Sequence, residues 1–239
     1  MSRTFSRYAS GAVKRQLSNL LEARHDVAGY RGAMTALGRS LGEVIARLVP
    51  GGERVMVACS VEDADYLARG LVDVLEEHVG ARRLRLACFW NGRTTVGRKV
   101  PVEQAPILRQ YVEPHGKTVP HLIMVKSIIS TSCVVRTNLL QLLDQVQPRH
   151  IFIAAPVMHR EAPANLEREF PERIVAKFNY VYFAKDDVLD ANRMIVPGIG
   201  GSVYERLGLG TQEQKNRLSP TLVVERRRTV ERERLGVTA

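Results

Sequence analysis

The chain alternates continuous apolar runs with stretches whose apolar residues recur every three or four positions. One run, His121-Leu122-Ile123-Met124-Val125-Lys126-Ser127-Ile128-Ile129, ends in the small hydroxyl residues Ser130, Thr131 and Ser132, followed by Cys133. Val135, Leu139, Leu142, Leu143 and Val146 then recur at mostly helical spacing. A buried parallel strand reads as such a run, and the helix behind it needs a polar start. The first amides of that helix have no partners within it, so the junction suits a phosphate, with the three hydroxyls as helix caps or added donors. The plainer alternative is a strand–cap–helix corner that binds nothing.

The same alternation extends along the chain. Val13, Leu17, Leu20 and Leu21 mark a helix over 10–24, and Met34, Leu37, Leu41, Val44, Ile45 and Leu48 mark another over 30–48. Pro50-Gly51-Gly52 is a turn, and 54–59 reads as a short buried strand. Ser60 is placed to cap the next helix, whose first turn carries Glu62, Asp63 and Asp65 and whose apolar face is Leu67, Leu71, Val74 and Leu75. Residues 83–90 form the next strand. From 91 to 120 regular patterning disappears among Gly92, Gly97, Pro101, Pro106, Pro114, Gly116 and Pro120, as in a lid, hairpin flap or binding loop. Residues 151–157 predict a continuous strand, 160–169 a short helix, and 174–176 and 180–183 two further strands. Alternating helices and buried strands imply a doubly wound, mainly parallel α/β sheet. Ligands of such sheets sit at the carboxyl ends of the strands. Residues 60–65, 93–99, 126–133 and 195–206 meet that description.

Composition narrows the classes. A chain of 239 residues with 45% hydrophobic content suits one large α/β domain, or a domain with small appendages, with a real core. No run approaches the roughly 18 apolar residues of a membrane span, and no apolar leader opens the chain. Cys59, Cys88 and Cys133 lie in or beside apolar runs without a CxxC pair, which predicts buried free thiols in the cytoplasm and no zinc site. The six histidines lack metal-ligand spacing. The net charge of +10 suits nucleic acid, phosphorylated metabolites or acidic partners, but no basic block interleaves with aromatics, so nucleic acid is disfavoured. From Arg217 onward, six arginines accompany three glutamates; Val223, Val224 and Val230 leave room there for an edge strand in a homodimer.

Several of these stretches together resemble a known family. Met194-Ile195-Val196-Pro197-Gly198-Ile199-Gly200 resembles the uracil-recognition loop IVPGLGD of the uracil phosphoribosyltransferase branch of the type I phosphoribosyltransferases. Asp186-Asp187-Val188-Leu189-Asp190 before it is similar to that family's VDExLN segment, and Glu205-Arg206-Leu207-Gly208 after it to the closing DR-(I/L)-FG. Leu17 to Asp26, then Tyr30-Arg31, is similar to the family's KLTxLRDxxTxxxxFR entry. The resemblance spans about residues 12–210. It implies the type I phosphoribosyltransferase fold over 1–216, with N-terminal helices at 10–48, a flap loop at 91–120 and an Arg-rich tail at 217–239. It also implies Mg²⁺ and transfer of a phosphorylated sugar to a pyrimidine-like or other small cyclic acceptor. Such transfer rests on positioning and charge stabilisation. The implied phosphate-binding residues are Ser130, Thr131 and Ser132, with Arg93, Arg98 and Lys99 of the flap. The implied base-binding residues are Ile195, Pro197, Gly198, Gly200, Gly201 and Ser202.

Departures from the family pattern fall on the sugar-diphosphate site. Against the family's VLDPMLATGGS, this chain has Lys126 at the acidic position and Ser132 and Cys133 in place of glycines; Thr131 is retained. Lysine accepts no hydrogen bond from ribose hydroxyls. Against PILRAG, the chain reads Ala58-Cys59-Ser60-Val61-Glu62-Asp63, losing an arginine and gaining two carboxylates. Lys126 is thus an anion ligand, a base of lowered pKa, or a plain corner lysine. Glu62 and Asp63 are a cation site, a general acid and base, or ordinary first-turn carboxylates. An ion pair of Lys126 with Glu62 or Asp63 would move the acid from one loop to the other. Besides an enzyme with an altered ligand set, these departures leave open a non-catalytic nucleotide-binding regulator or unrelated chemistry in the same cavity.

Overall fold

The computed structural model describes residues 3–96 and 102–235. The chain opens with β1 (Thr4–Phe5), α1 (Gly11–Glu22), α2 (Val27–Ala46), β2 (Val55–Ser60), α3 (Arg69–Val79) and β3 (Leu84–Asn91). A hairpin of β4 (Thr94–Val96) and β5 (Val102–Gln104) leads to β6 (Ile107–Val112), β7 (His121–Val125) and the short β8 (Ile128–Ile129). Then come α4 (Cys133–Leu143), β9 (His150–His159), α5 (Ala162–Glu167), α6 (Glu172–Val175) and β10 (Phe178–Asp186). The chain closes with β11 (Val188–Leu189), β12 (Ile195–Val196), α7 (Val203–Arg206), α8 (Gln212–Arg217) and α9 (Thr221–Arg234).

The central sheet runs β1-β10-β9-β7-β2-β3-β6. The five inner strands pair in parallel, and the outer strands β1 and β6 run antiparallel to their neighbours. Every residue of β2 and β7 is buried, as the middle of a sheet covered on both faces requires. Alternate residues of β2 serve different cores. Val55, Val57 and Cys59 pack with α1, α2 and α3, while Met56 and Ala58 pack with α4 and α5. From β2 the chain crosses to β3 on one side, and β7 lies on the other, so strand order reverses between β2 and β7. The expected doubly wound, mainly parallel α/β sheet is therefore present.

Helix α2 lies close against α3 and the turn before it (Ala64–Ala68) through two glycines. A Cβ at Gly38 would come within 2.1 Å of the Leu67 carbonyl oxygen, and one at Gly70 within 2.2 Å of that of Thr35. Gly38→Ala is expected to cost about 2 kcal/mol by overpacking, read as a lower Tm; an unchanged Tm would mean that the helices separate freely.

Four local expectations change. Residues 174–176 belong to α6 and the turn after it; a short Ile-Val-Ala run after Pro171 is equally compatible with a helix. The 91–120 stretch is not all loop, because β6 extends the main sheet beside β3. Ser60 makes no side-chain cap bond, and the chain after it passes through a 3₁₀ turn (Val61–Asp63) and a π turn (Ala64–Ala68) before α3. The Arg-rich segment forms α9, not an edge strand. Leu222 and Val223 are buried beneath it, and Asp65 accepts from the Thr221 and Leu222 amides at 2.9 and 2.8 Å.

Candidate functional site

The loops after β2 and β7 meet where strand order reverses. Their side chains form a buried charge cluster. Lys126 Nζ donates to Glu62 Oε1 at 2.8 Å and to Asp63 Oδ2 at 2.9 Å. The Ser127 amide donates to Asp63 Oδ1 at 3.1 Å. Lys215, from α8, donates to Glu62 Oε2 at 3.1 Å, to Asn216 Oδ1 at 3.1 Å and to the Asn91 carbonyl at 3.5 Å. Glu62, Asp63, Lys126 and Lys215 are each at most 5% exposed, so the two negative and two positive charges are removed from water together. The ion pair anticipated for Lys126 is present, to both carboxylates at once.

Burial alone would raise the Glu62 carboxyl, but Lys126 and Lys215 outweigh it and hold the group at about 2. Burial would lower Lys126; Asp63 and Glu62 reverse this and keep the ammonium above its ordinary range. Asp63 lacks the second lysine, and burial pushes it upward against the pull of Lys126.

Glu62 and Lys126 form part of the floor of a cleft of about 220 Å³. Ser130, Thr131 and Ser132 line it at the start of α4, with Arg93 from the flap and Ser202, Arg193 and Tyr204 from the C-terminal loops. Three cationic side chains (Arg93, Lys126, Arg193) against two carboxylates (Glu62, Glu103) give the lining a positive balance. Ser132 sits at the N-cap in the left-handed region, φ 57°, and its hydroxyl donates to the Thr131 carbonyl at 2.6 Å. It therefore does not cap α4, contrary to expectation, and the first-turn amides lack a partner from that side chain. The Ser202 hydroxyl is shut off from solvent and finds no partner among the described residues.

The 195–201 loop is held from behind. Arg3 grips Asp186 through two bonds of 2.8 and 2.7 Å and also donates to the Gly198 carbonyl at 2.6 Å. Asp186 in turn accepts from the Gly198 amide at 2.9 Å, the buried Tyr30 hydroxyl donates to the Ile199 carbonyl at 2.8 Å, and Arg206 donates to the Gly200 carbonyl at 2.9 Å. Positive φ values of 54°, 83° and 124° at Gly198, Gly200 and Gly201 make this turn a glycine path.

Of the expected base-binding residues, Ile195, Gly201 and Ser202 line the cleft. Polar backbone groups of Gly198 and Gly200 are instead taken up by the loop's own scaffold, and Pro197 belongs to that turn, accepting from the Gly200 amide at 3.1 Å. Asp63 lies in the charge cluster, away from the cleft lining. Arg98 and Lys99 fall outside the described residues. Sequence reasoning did not find Lys215, Arg3 or Tyr30 as parts of the site.

A divalent cation does not fit the carboxylate pair. Each of the four oxygens of Glu62 and Asp63 already accepts a donor, three of them from ammonium groups. A metal ion there would have to expel a lysine of like charge. Among the described residues, no group of three His, Cys, Asp or Glu side chains is placed to hold a metal, and no helix is long and apolar enough to cross a membrane.

No family model matches this chain, and no curated protein does. Among solved structures, it is similar to a hypothetical protein from Neisseria gonorrhoeae with bound ppGpp, at 13% identity and a TM-score of 0.42, over 66% of this chain and 82% of that one. It is also similar to a hypoxanthine phosphoribosyltransferase from Staphylococcus aureus, at 9% identity and a TM-score of 0.41, over 70% and 83%. A hypoxanthine-guanine phosphoribosyltransferase from L. donovani aligns at 15% identity and a TM-score of 0.37, over 66% and 83%. Likeness at this level carries no argument about the ligand.

Proposed function

We propose that the cleft is a phosphoribosyltransferase-like site that takes a phosphorylated sugar or nucleotide. The observation that carries this reading is the convergence of the Ser130–Thr131–Ser132 turn, the start of α4 and the arginines Arg93 and Arg193 on one cationic cleft at the strand ends. Hydroxyls and first-turn amides are donors suited to phosphate oxygens, and arginines supply forked ones. In the enzymatic form of the reading, the sugar is passed to a pyrimidine-like or other small cyclic acceptor held against Ile195, Gly201 and Ser202. The similarity of the 194–200 sequence to a uracil-recognition loop supports the pyrimidine.

A second form, nucleotide binding without transfer, is favoured by one specific observation. Glu62 and Asp63 are both committed to lysines and offer nothing to a metal-bound diphosphate. Calorimetric titration with phosphoribosyl diphosphate, uridine monophosphate and uracil separates the two. Diphosphate binding followed by turnover supports transfer, nucleotide binding alone supports the second form, and silence from all three rejects the site. Thr131→Val is expected to weaken phosphate-ligand binding about tenfold, the worth of one hydrogen bond to a charged group.

A further inference from the structure

The two lysines of the buried cluster are not equivalent. Lys215 Nζ meets three acceptors: Glu62 Oε2, Asn216 Oδ1 and the Asn91 carbonyl. An ammonium has three protons, so its donors are all engaged. Lys126 Nζ meets two acceptors among the described residues, Glu62 Oε1 and Asp63 Oδ2. One of its protons remains, and Lys126, unlike Lys215, is part of the cleft lining. It shares that lining with Ser130, Thr131 and Ser132.

We infer, resting on the phosphate-binding reading above, that this cleft holds its phosphorylated ligand without a divalent cation, the Lys126 ammonium supplying one hydrogen bond and Arg93 and Arg193 the surplus positive charge. Two lysines balance the two carboxylates of the cluster, and each of their four oxygens is engaged, so the cluster leaves no donor set for a metal and the lining keeps the single carboxylate Glu103. Fixed in place by Glu62 and Asp63, the Lys126 ammonium gives up little side-chain freedom when an anion arrives. Its remaining proton is suited to a single phosphate oxygen, as a point charge rather than a fork. The ligand class is a phosphate monoester, or a diphosphate bound free of metal.

Three measurements on the full chain test this. The first is a Mn²⁺ titration of the protein alone, followed by water-proton relaxation. Saturable binding abolished by Glu62→Gln would overturn the inference; no such site is expected. The second is titration with uridine monophosphate and phosphoribosyl diphosphate in excess EDTA and again in Mg²⁺. Affinities within about twofold of each other are expected, meaning negligible coupling between metal and ligand, and a tightening by Mg²⁺ of about tenfold or more would overturn it. Absence of binding in both buffers would remove the phosphate-binding reading and with it the ligand half of the inference, while the Mn²⁺ result still decides cation exclusion. The third is ¹⁵N NMR of lysine-labelled protein, in which uridine monophosphate is expected to shift the Lys126 ammonium signal more than that of Lys215. An unmoved Lys126 signal would remove its assigned contact.

Discussion

Lys126→Met is expected to lower the free energy of unfolding by about 3–5 kcal/mol, the range for removing one partner from a buried ionic network. The loss arises in the residues left behind. Among the described residues, Asp63 would keep the Ser127 amide and Glu62 would keep Lys215 as its remaining charged partner. Urea unfolding of wild type and variant reads the change, and a loss below about 1 kcal/mol would mean that water reaches the carboxylates freely. Adding Asp63→Asn removes the more poorly compensated charge and is expected to recover part of the loss, so the two substitutions will be non-additive. Acid should act in the same place. Glu62 is held at about 2 against an ordinary 4.5, so its stabilising contribution is complete above 4.5 and disappears as pH falls toward 2. Asp63 works in the opposite sense, because burial raises it and folding disfavours its ionised form. Glu62→Gln should therefore flatten the acid limb of the stability profile, and Asp63→Asn should leave that limb in place.

Arg226→Ala is expected to produce a loss of similar size, about 3–5 kcal/mol, at the other end of the C-terminal segment. Arg226 grips Glu113 with bonds of 2.6 and 2.7 Å, pairs with Glu76 and donates to the Leu84 carbonyl at 2.9 Å. Glu113 is completely buried, and without the guanidinium it would keep, among the described residues, the Leu86 amide at 3.0 Å and the Tyr111 hydroxyl at 3.4 Å. Arg226→Lys preserves charge but not the fork, and should fall between wild type and alanine. Limited proteolysis provides a second readout, with cleavage within α9 in the alanine variant and protection in wild type. Equal protection in both would show that Leu222, Val223 and the Asp65 cap hold the helix without Arg226.

The parts of this fold that sequence reasoning reached are those governed by strong local pattern. Leu17 and Leu20 in α1, Leu37 and Leu41 in α2, and the unbroken run into β7 are buried where their spacing places them. Short or edge elements escaped. Strand β6 lies at the rim, with Leu108, Arg109 and Gln110 exposed, so it lacks the apolar alternation of a covered strand. In α9, Arg226, Arg227 and Arg228 are adjacent and chemically identical, and only the docked helix selects the first for burial against Glu113. The site shows the same division. The loops holding Lys126 and Glu62 were legible because strand ends mark themselves. Lys215 was not, since Gln214-Lys215-Asn216 has no apolar pattern and its partner lies 153 positions away. Arg3 is hidden likewise, 183 positions from the Asp186 it grips.

Those separations have a consequence for how the protein is made. The loop at 62–65 is completed by Lys215 through Glu62 and by the start of α9 through Asp65. During synthesis the β2–β7 centre of the sheet emerges early, with its two carboxylates and a single lysine to answer them. The neutralising second lysine follows 153 positions after Glu62, and the capping helix comes after it. Domains begin folding from the amino end as they emerge. This one therefore carries an unbalanced charge at its centre until α8 and α9 have been made, and its site becomes complete only when they dock.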